Sequence, residues 1–242
     1  MASQPERSAA ARRAIVAAAI EVLGSEGHRA LTNARLQQVS GLSRGLAGYH
    51  FESRQGLLEA VVSSIRDDFV TDLVTAPAAG SMPGLQATVY LADTYLAELA
   101  RDPRRNLAIL VLTVASIREL PGLQPAIGQL NDSLRQGVAD LLARGVTDRS
   151  VRPGIDIPSA ATAIVGILRG ATLQWLADPG GVDLDAARRE TTTILTRCYA
   201  AIPAEQPMRL DRVHGRNREL ADHCLRLRLG PAGRPDQGPE RR

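Results

Sequence analysis

The sequence lacks lysine altogether, so all 29 of its basic residues are arginine, and it holds only two cysteines, Cys198 and Cys224. The cysteines are far apart and form neither a CxxC motif nor a disulfide framework, which favours a reducing compartment. No run of about 18 uncharged apolar residues occurs, so no transmembrane helix is expected. No apolar segment of the kind found in secretion signals follows the charged N-terminus. We therefore expect a cytoplasmic protein without a membrane partner.

Aromatic residues are also scarce, at 3% of the 242 positions, whereas apolar residues make up 44% and charged residues 23%. This balance is typical of a globular protein and excludes a chain that is disordered throughout. Nucleophile-elbow, P-loop and dinucleotide-binding motifs are absent. The four histidines are not spaced as metal ligands. We therefore expect no enzymatic activity, no cofactor and no metal site.

Positive charge is concentrated at the two ends of the chain. Residues 1–60 contain seven arginines and five acidic residues, residues 61–200 contain thirteen and fifteen, and residues 201–242 contain nine and six. This distribution is compatible with a polyanionic partner at one end of the chain, but the excess is too small to establish one.

Apolar residues recur with a 3.6-residue period, which predicts an all-α protein of about nine helices. Breaks rich in glycine and proline separate the predicted helices, which run approximately over residues 8–23, 32–39, 43–50, 53–74, 85–100, 102–120, 125–144, 158–176 and 183–201. Gly24 and Gly27 are candidate stops of the first helix. We predict a small N-terminal helical domain over residues 1–52 and a larger helical domain over residues 53–203. An arginine- and proline-rich tail, partly disordered, would follow over residues 204–242.

Residues 31–58 have the pattern of a helix-turn-helix. Two short helices are joined by residues 40–43, where Gly41 permits the positive φ of a tight turn. A small core would be closed by Leu36, Val39, Leu42, Ala47 and Phe51. The second of the two helices, predicted helix three, would then leave a free face of a size that fits the major groove of DNA. That face carries Arg44, Leu46, Gly48 and Tyr49.

Two kinds of DNA contact are predicted from this placement. Arg44, in the first turn of predicted helix three, suits a bidentate contact with guanine. Phosphate contacts are predicted for Thr32, Ser43, Tyr49, His50 and Arg54, together with backbone amides at the helix starts. Helix-turn-helix shapes also occur in proteins that bind no DNA. Thr32, Ser43 and Ser53 would cap helices in either case, so these residues alone leave both interpretations open.

Residues 12–62 resemble the DNA-binding domain of the TetR family of bacterial repressors. The shared segments are residues 13–19 (RAIVAAA), Glu26-Gly27, Thr32, residues 41–45 (GLSRG), Tyr49-His50-Phe51 and residues 53–58 (SRQGLL). The family usually has an aromatic residue at the position of Gly48 and a lysine at that of Arg54. The variant over residues 45–51 is similar to a branch of betaine-type regulators.

This resemblance implies a homodimer that binds palindromic double-stranded DNA and releases it when a small molecule binds the larger domain. The family's phosphate contacts fall on Thr32, Tyr49, His50 and Arg54. Its base contacts fall on Asn33, Arg44 and Leu46. A transcriptional activator, or a regulator that needs no ligand, could use the same scaffold. A helical enzyme or small-molecule carrier that binds no DNA is a third possibility.

Predicted helices eight and nine are the candidate dimer interface, because helix eight is apolar on nearly every side and a second copy would cover one of them. The residues expected at this contact are Ile164, Leu168, Trp175, Leu184 and Leu195. Cys198, near the end of helix nine, is expected to be buried.

The effector is expected to be a small, largely apolar molecule that is neutral or singly charged. Most charges of the larger domain lie near predicted helix ends, few aromatic residues are available, and no acidic cluster would suit a polycation. The candidate pocket residues are Phe69, Tyr90, Thr94, Thr113 and Gln174.

Overall fold

The computed structural model describes residues 3–42, 46–71 and 80–201, and this part of the chain is all-α, as the sequence predicted. It contains nine α-helices, which agrees with the predicted number: α1 Gln4–Glu26, α2 Asn33–Ser40, α3 Leu46–His50, α4 Arg54–Phe69, α5 Gly84–Arg101, α6 Pro103–Arg118, α7 Gln124–Thr147, α8 Ile157–Ala177 and α9 Leu184–Tyr199. The predicted tail, residues 204–242, and the predicted end of helix four, residues 72–74, lie outside the described residues.

Polar side chains set the starts of several helices. Thr32 caps α2, Ser53 caps α4 and Asp183 caps α9, each by accepting a hydrogen bond from a backbone N–H of the first helical turn. The caps at Thr32 and Ser53 were predicted from the sequence and are confirmed. At α6, Asp102 is the cap and Pro103 occupies the first helical position.

Gly24 lies inside α1, so its prediction as a helix stop was wrong. The helix continues to Glu26 and ends at Gly27, whose φ of 82° suits glycine. A Cβ atom added at Gly24 would lie 2.5 Å from the carbonyl oxygen of Arg104, at the start of α6. Glycine is therefore required at position 24 because α1 and α6 approach each other closely there.

Two hydrophobic clusters form the core. The first joins α1, α2 and α4 to α6 and α7, and includes Leu23, Leu58 and Leu112. The second joins α5, α7, α8 and α9, and includes Leu96 and Leu142. The predicted domain boundary between residues 52 and 53 therefore lies within one compact unit, which extends to Ala201.

The apolar helix α8 packs against this core with one face. Four of the residues predicted for the dimer contact, Ile164, Leu168, Leu184 and Leu195, are buried inside the chain's own core. That assignment is corrected accordingly, because these side chains have almost no surface left to offer a partner. Trp175 is partly buried against the same cluster.

The opposite face of α8 is turned to the surface and carries Leu173, which is 50% exposed. On α9, Ile194 is 36% exposed. Cys198 is exposed as well, contrary to the prediction of a buried thiol. By length and composition α8 would also suffice to cross a membrane. Ile164 and Leu168 pack into the core from this helix, whereas most of the helix is not buried.

Candidate nucleic-acid interface and ligand cavity

The helix-turn-helix begins at a well-formed cap. The Thr32 hydroxyl accepts a hydrogen bond of 3.2 Å from the backbone N–H of Arg35. At the other end of α2, Gly41 has a φ of 68°, a left-handed conformation that glycine adopts without strain. This is the conformation that the sequence predicted for the turn.

A surface groove of about 360 Å³ lies where the start of α2, the end of α3 and the start of α4 meet. Its lining includes Thr32 and Asn33 from α2 and its cap, Gly48 from α3, and Ser53 and Arg54 from the start of α4. The structure thus brings three of the predicted DNA contacts together, namely Thr32, Asn33 and Arg54. The backbone N–H groups at two helix starts lie beside them, an arrangement that favours phosphate oxygens.

Tyr49 follows the groove residue Gly48 on α3, and its side chain is 82% exposed. Its ring contacts the His50 ring edge to face, with centroids 5.2 Å apart. Behind them Phe51 is buried, and the guanidinium carbon of Arg12 lies 5.0 Å from the centre of its ring. The exposed Tyr49 therefore lies on α3, and Phe51, directly after this helix, packs against α1.

The Arg54 side chain is oriented by a hydrogen bond to the backbone carbonyl of His28. A guanidinium has five N–H donors, so this contact leaves others for a phosphate. The predicted DNA contacts Ser43 and Arg44 lie outside the described residues, as does the side chain of Leu46.

Two ion-pair clusters fix the helix-turn-helix to its surroundings. Arg35 of α2 pairs with Glu26 of α1 at 2.7 Å, and this pairing raises the Arg35 pKa above its ordinary value. Glu119, just after α6, binds both Arg29 at 3.0 Å and His28 at 3.1 Å. Mainly through Arg29, these contacts lower the pKa of Glu119. The short turn His28–Ala30 is thereby tied to α6 as well as to Arg54.

Helices α4 to α8 surround a mostly apolar space, here called the inner cavity, of about 140 Å³. Five helices contribute to its wall, which is formed by Ile65, Phe69, Tyr95, Asn106, Ile109, Leu110, Thr113, Leu130, Leu134, Arg169, Thr172 and Leu173. Leucine, isoleucine and phenylalanine predominate in this wall, as expected for a site that binds a small apolar molecule.

A second space of about 540 Å³, here called the outer cavity, shares Ile65, Phe69, Tyr95, Asn106 and Ile109 with the inner one. The outer cavity also has charged residues at its edge. These are paired or used as caps: Arg101 binds Glu98 at 2.8 Å, Arg105 binds Asp68 at 3.2 Å, and Asp102 caps α6. The two cavities therefore share a wall of mostly apolar residues.

Three of the five predicted pocket residues line these spaces. Phe69 borders both, Thr94 borders the outer cavity and Thr113 the inner one. Tyr90 instead packs against the second hydrophobic cluster. Gln174 is exposed, and its side-chain amide donates to the carbonyl of Gly170 at 3.3 Å.

Among the polar residues that line the inner cavity, the sequence predicted Thr113 as a pocket residue but not Tyr95, Asn106, Arg169 or Thr172. Burial raises the pKa of the Tyr95 phenol, against the smaller opposite effect of the Thr172 hydroxyl. Burial also lowers the pKa of Arg169. The spacing of Arg169 and Thr172, three residues apart on one helix, was the signal that could have placed both on one face.

No group of three or more metal-ligating side chains clusters in the described ranges, which cover residues 3–42, 46–71 and 80–201.

Relatives of the chain match both its sequence and its fold. A family model described as the C-terminal region of BetI-type transcriptional repressors matches residues 86–200. The HTH-type transcriptional regulator BetI of Rhizobium meliloti (strain 1021) is 30% identical over 87 residues, which are 36% of this chain and 43% of that protein. The matched region thus spans less than half the length of that curated relative.

Solved structures with the same fold cover far more of the chain. A TetR transcriptional regulator from Chloroflexus aurantiacus has a TM-score of 0.71 at 20% identity, with 81% of this chain and 99% of that one covered. A TetR-family regulator from Agrobacterium tumefaciens has a TM-score of 0.67 at 17% identity, with 80% and 100% covered. The fold of the described residues is that of TetR-family transcriptional regulators, and the family model and the BetI relative agree with that assignment.

Proposed function

We propose that this chain is a ligand-responsive transcriptional repressor that binds a palindromic operator as a homodimer. The observation that carries the proposal is the groove that brings Thr32, Asn33 and Arg54 together at two helix starts, next to the exposed Tyr49. The Thr32 hydroxyl and the Arg54 guanidinium, beside the backbone N–H groups of two helix starts, suit the phosphates that flank a major groove. The Asn33 amide suits a base edge.

In this proposal α3 is the recognition helix. Thr32, Ser43, Tyr49, His50 and Arg54 bind phosphates. Asn33, Arg44 and Leu46 contact base edges. Gly48 replaces the family's usual aromatic side chain, and no Cβ contact would restrict a larger residue there. Recognition by this chain therefore depends more on its neighbour Tyr49 than on position 48.

Dimerisation would use the surface of α8 and α9 that faces away from the core. Leu173 and Ile194 are the large apolar side chains exposed on these two helices. A two-fold contact that covers them would place two recognition helices on one side of the dimer. Such a dimer reads half-sites whose centres are about 34 Å apart, one turn of DNA.

The effector would act through α4, which joins the two sites. Its first residue, Arg54, lies in the DNA-facing groove, and its last, Phe69, borders both cavities. The helix has 16 residues and so is about 24 Å long. A ligand that displaces Phe69 can thus tilt α4 and move Arg54 together with the His28 turn. To shift nearly all of the protein from the DNA-binding conformation to the other one, the ligand must bind the second conformation more tightly by about 5 kcal/mol.

The test is a titration of the protein with DNA from upstream of its own gene, followed by fluorescence anisotropy. Scrambled DNA of the same length and composition is the matched control. We expect binding to the upstream fragment at least a thousandfold tighter than to the scrambled fragment, as is usual for specific regulators. Equal affinity for both fragments would contradict the proposal that the protein recognises an operator near its own gene.

A further inference from the structure

Arg169 is a charged residue in the otherwise largely apolar inner cavity. In the part of the chain that the structure describes, its guanidinium has no ion pair or hydrogen bond with another residue. Apart from burial, Tyr95 raises the pKa of Arg169, whereas Arg135 of α7, a like charge that is itself paired with Asp132, lowers it.

Other arginines of this domain show how the fold usually satisfies such groups. Arg188 of α9 makes a bidentate contact with Asp93 of α5, at 3.0 and 2.9 Å. Arg101 and Arg105 at the edge of the outer cavity are also paired with carboxylates. Arg169 faces the cavity without such a carboxylate, although the planar fork of a guanidinium matches one well.

Partial burial makes this unpaired charge unfavourable. Desolvation is the main cause that lowers the pKa of Arg169, and the like charge of Arg135 adds to it. A guanidinium remains protonated in spite of such shifts, so it cannot relieve the cost by losing its proton. An anion that enters the cavity would therefore form an ion pair with Arg169. Folding has already removed part of the water around this guanidinium, so binding need not supply that part of the desolvation free energy.

The polar side chains around Arg169 favour an anion with a single charge and determine where its charged head group binds. Thr172 is three residues from Arg169 on α8, and Tyr95 lies beside it with a phenol that burial keeps protonated. Arg169 supplies one available positive charge, since Arg135 is engaged by Asp132. A planar monoanion suits this site better than a doubly charged phosphate.

We propose that the inner cavity binds the carboxylate of an apolar monocarboxylic acid, with Arg169 as its ion-pair partner. The apolar remainder of the ligand extends along Ile65, Phe69 and Ile109, which border both cavities. This inference rests on the proposed function of the larger domain as the effector-binding domain. It narrows the expected effector from a neutral or singly charged molecule to a singly negative one.

The test compares three ten-carbon probes that differ in their head groups: decanoate, decan-1-ol and decyltrimethylammonium, each below its micelle-forming concentration. Calorimetric titration of the full chain should show binding of decanoate, with the alcohol and the ammonium compound weaker by about 30-fold or more. Equal or tighter binding of either of these two, or no binding of decanoate, would overturn the inference.

Two arginine variants separate recognition from folding. Arg169→Met keeps the length of the side chain, and it should weaken decanoate binding by about 30-fold or more without lowering the melting temperature of the free protein. Arg188→Met, the matched control, should lower the melting temperature but leave decanoate binding unchanged. If Arg169→Met binds decanoate as the wild type does, or if it melts earlier as Arg188→Met should, then Arg169 is not the ligand's partner.

DNA binding measured on the same samples keeps this inference separate from the proposed function. Operator binding by the free protein without any response to decanoate would refute the inference alone. Decanoate binding by a protein that does not distinguish operator from scrambled DNA would refute the proposed repressor function alone.

Discussion

Arg54 combines two contacts at the first position of α4. Its guanidinium donates to the backbone carbonyl of His28, and the same side chain lines the groove that contains Thr32 and Asn33. A cation at this place contributes to DNA affinity without reading sequence, because phosphates are the same at every base pair.

We expect Arg54→Ala to weaken binding to operator and scrambled DNA by a similar factor. The slope of log K against log salt should become less steep by about 1, because one phosphate contact is lost. Arg54→Lys should keep the slope, and Arg101→Ala, which removes the same charge far from the groove, should leave DNA binding unchanged. A loss confined to the operator would show that Arg54 reads bases.

At the scale of single residues, sequence reasoning succeeded where the determining interaction is local. The caps Thr32 and Ser53 bond to amides three residues along the chain, so the pattern alone predicted them. Gly24 was misinterpreted because its role depends on Arg104, which is distant in sequence. Arg169 was not selected because nothing in its neighbourhood along the chain indicates that a carboxylate is missing across the cavity.

At the scale of elements, α1 approaches the start of α6 closely at Gly24. We expect Gly24→Ala to destabilise the protein by about 1–3 kcal/mol, because the added methyl group would overlap the Arg104 carbonyl. Gly128→Ala is the matched control, since Gly128 is also helical and a Cβ there would contact nothing within 4 Å. It should stabilise the protein slightly, by up to about 1 kcal/mol.

Chemical denaturation of both glycine variants measures these changes. Equal effects of the same sign at the two positions would show that α1 and α6 are not in close contact.

Glu119 forms a second link between α6 and the DNA-binding region, and this link depends on pH. Arg29 and, to a smaller extent, His28 lower the pKa of Glu119 in the folded protein. A depressed carboxyl pKa stabilises the fold above the pKa of the unfolded chain, and this stabilisation is lost as the pH falls through the folded-state pKa.

We therefore expect Glu119→Gln to lower the melting temperature at neutral pH and to lose this effect in acid, below the ordinary carboxyl range. Thermal melts of wild type and variant across the acidic range provide the measurement. Glu98→Gln is the control, because its partner Arg101 is in the same helix and the pair links no elements. A constant difference between wild type and Glu119→Gln at every pH would contradict this account.

For elements, periodicity predicted the nine helices but did not determine which way the most apolar one faces. Helix α8 has apolar residues on nearly every side, so the sequence offered no basis for choosing its buried face. The structure buries Ile164 and Leu168, whereas Leu173 is half exposed at the wall of the inner cavity. Of the cavity wall on α4 and α6, the sequence predicted Phe69 and Thr113 but not the other residues, because five helices must meet before a cavity exists.

At the scale of the whole molecule, the exposed surface of α8 and α9 is the proposed dimer contact. We expect Ile194→Glu to produce monomers, because a charge would be buried in that contact without a partner. Ile117→Glu is the matched control, since Ile117 is also an exposed isoleucine, at 54%, but lies on α6. Light scattering at micromolar concentration measures the mass of each. A wild type that is already monomeric, or an Ile194→Glu protein that remains dimeric, would exclude this contact.

The central claim is that two copies of this helix-turn-helix read one palindromic site, and a footprint of the protein on its upstream DNA tests it most directly. The account predicts two protected half-sites with centres about one helical turn, or 10 base pairs, apart. Protection should be lost in both half-sites together when Ile194→Glu replaces the wild type. Protection of a single half-site by the wild type, or no protected site at all in DNA that the protein binds, would contradict the account.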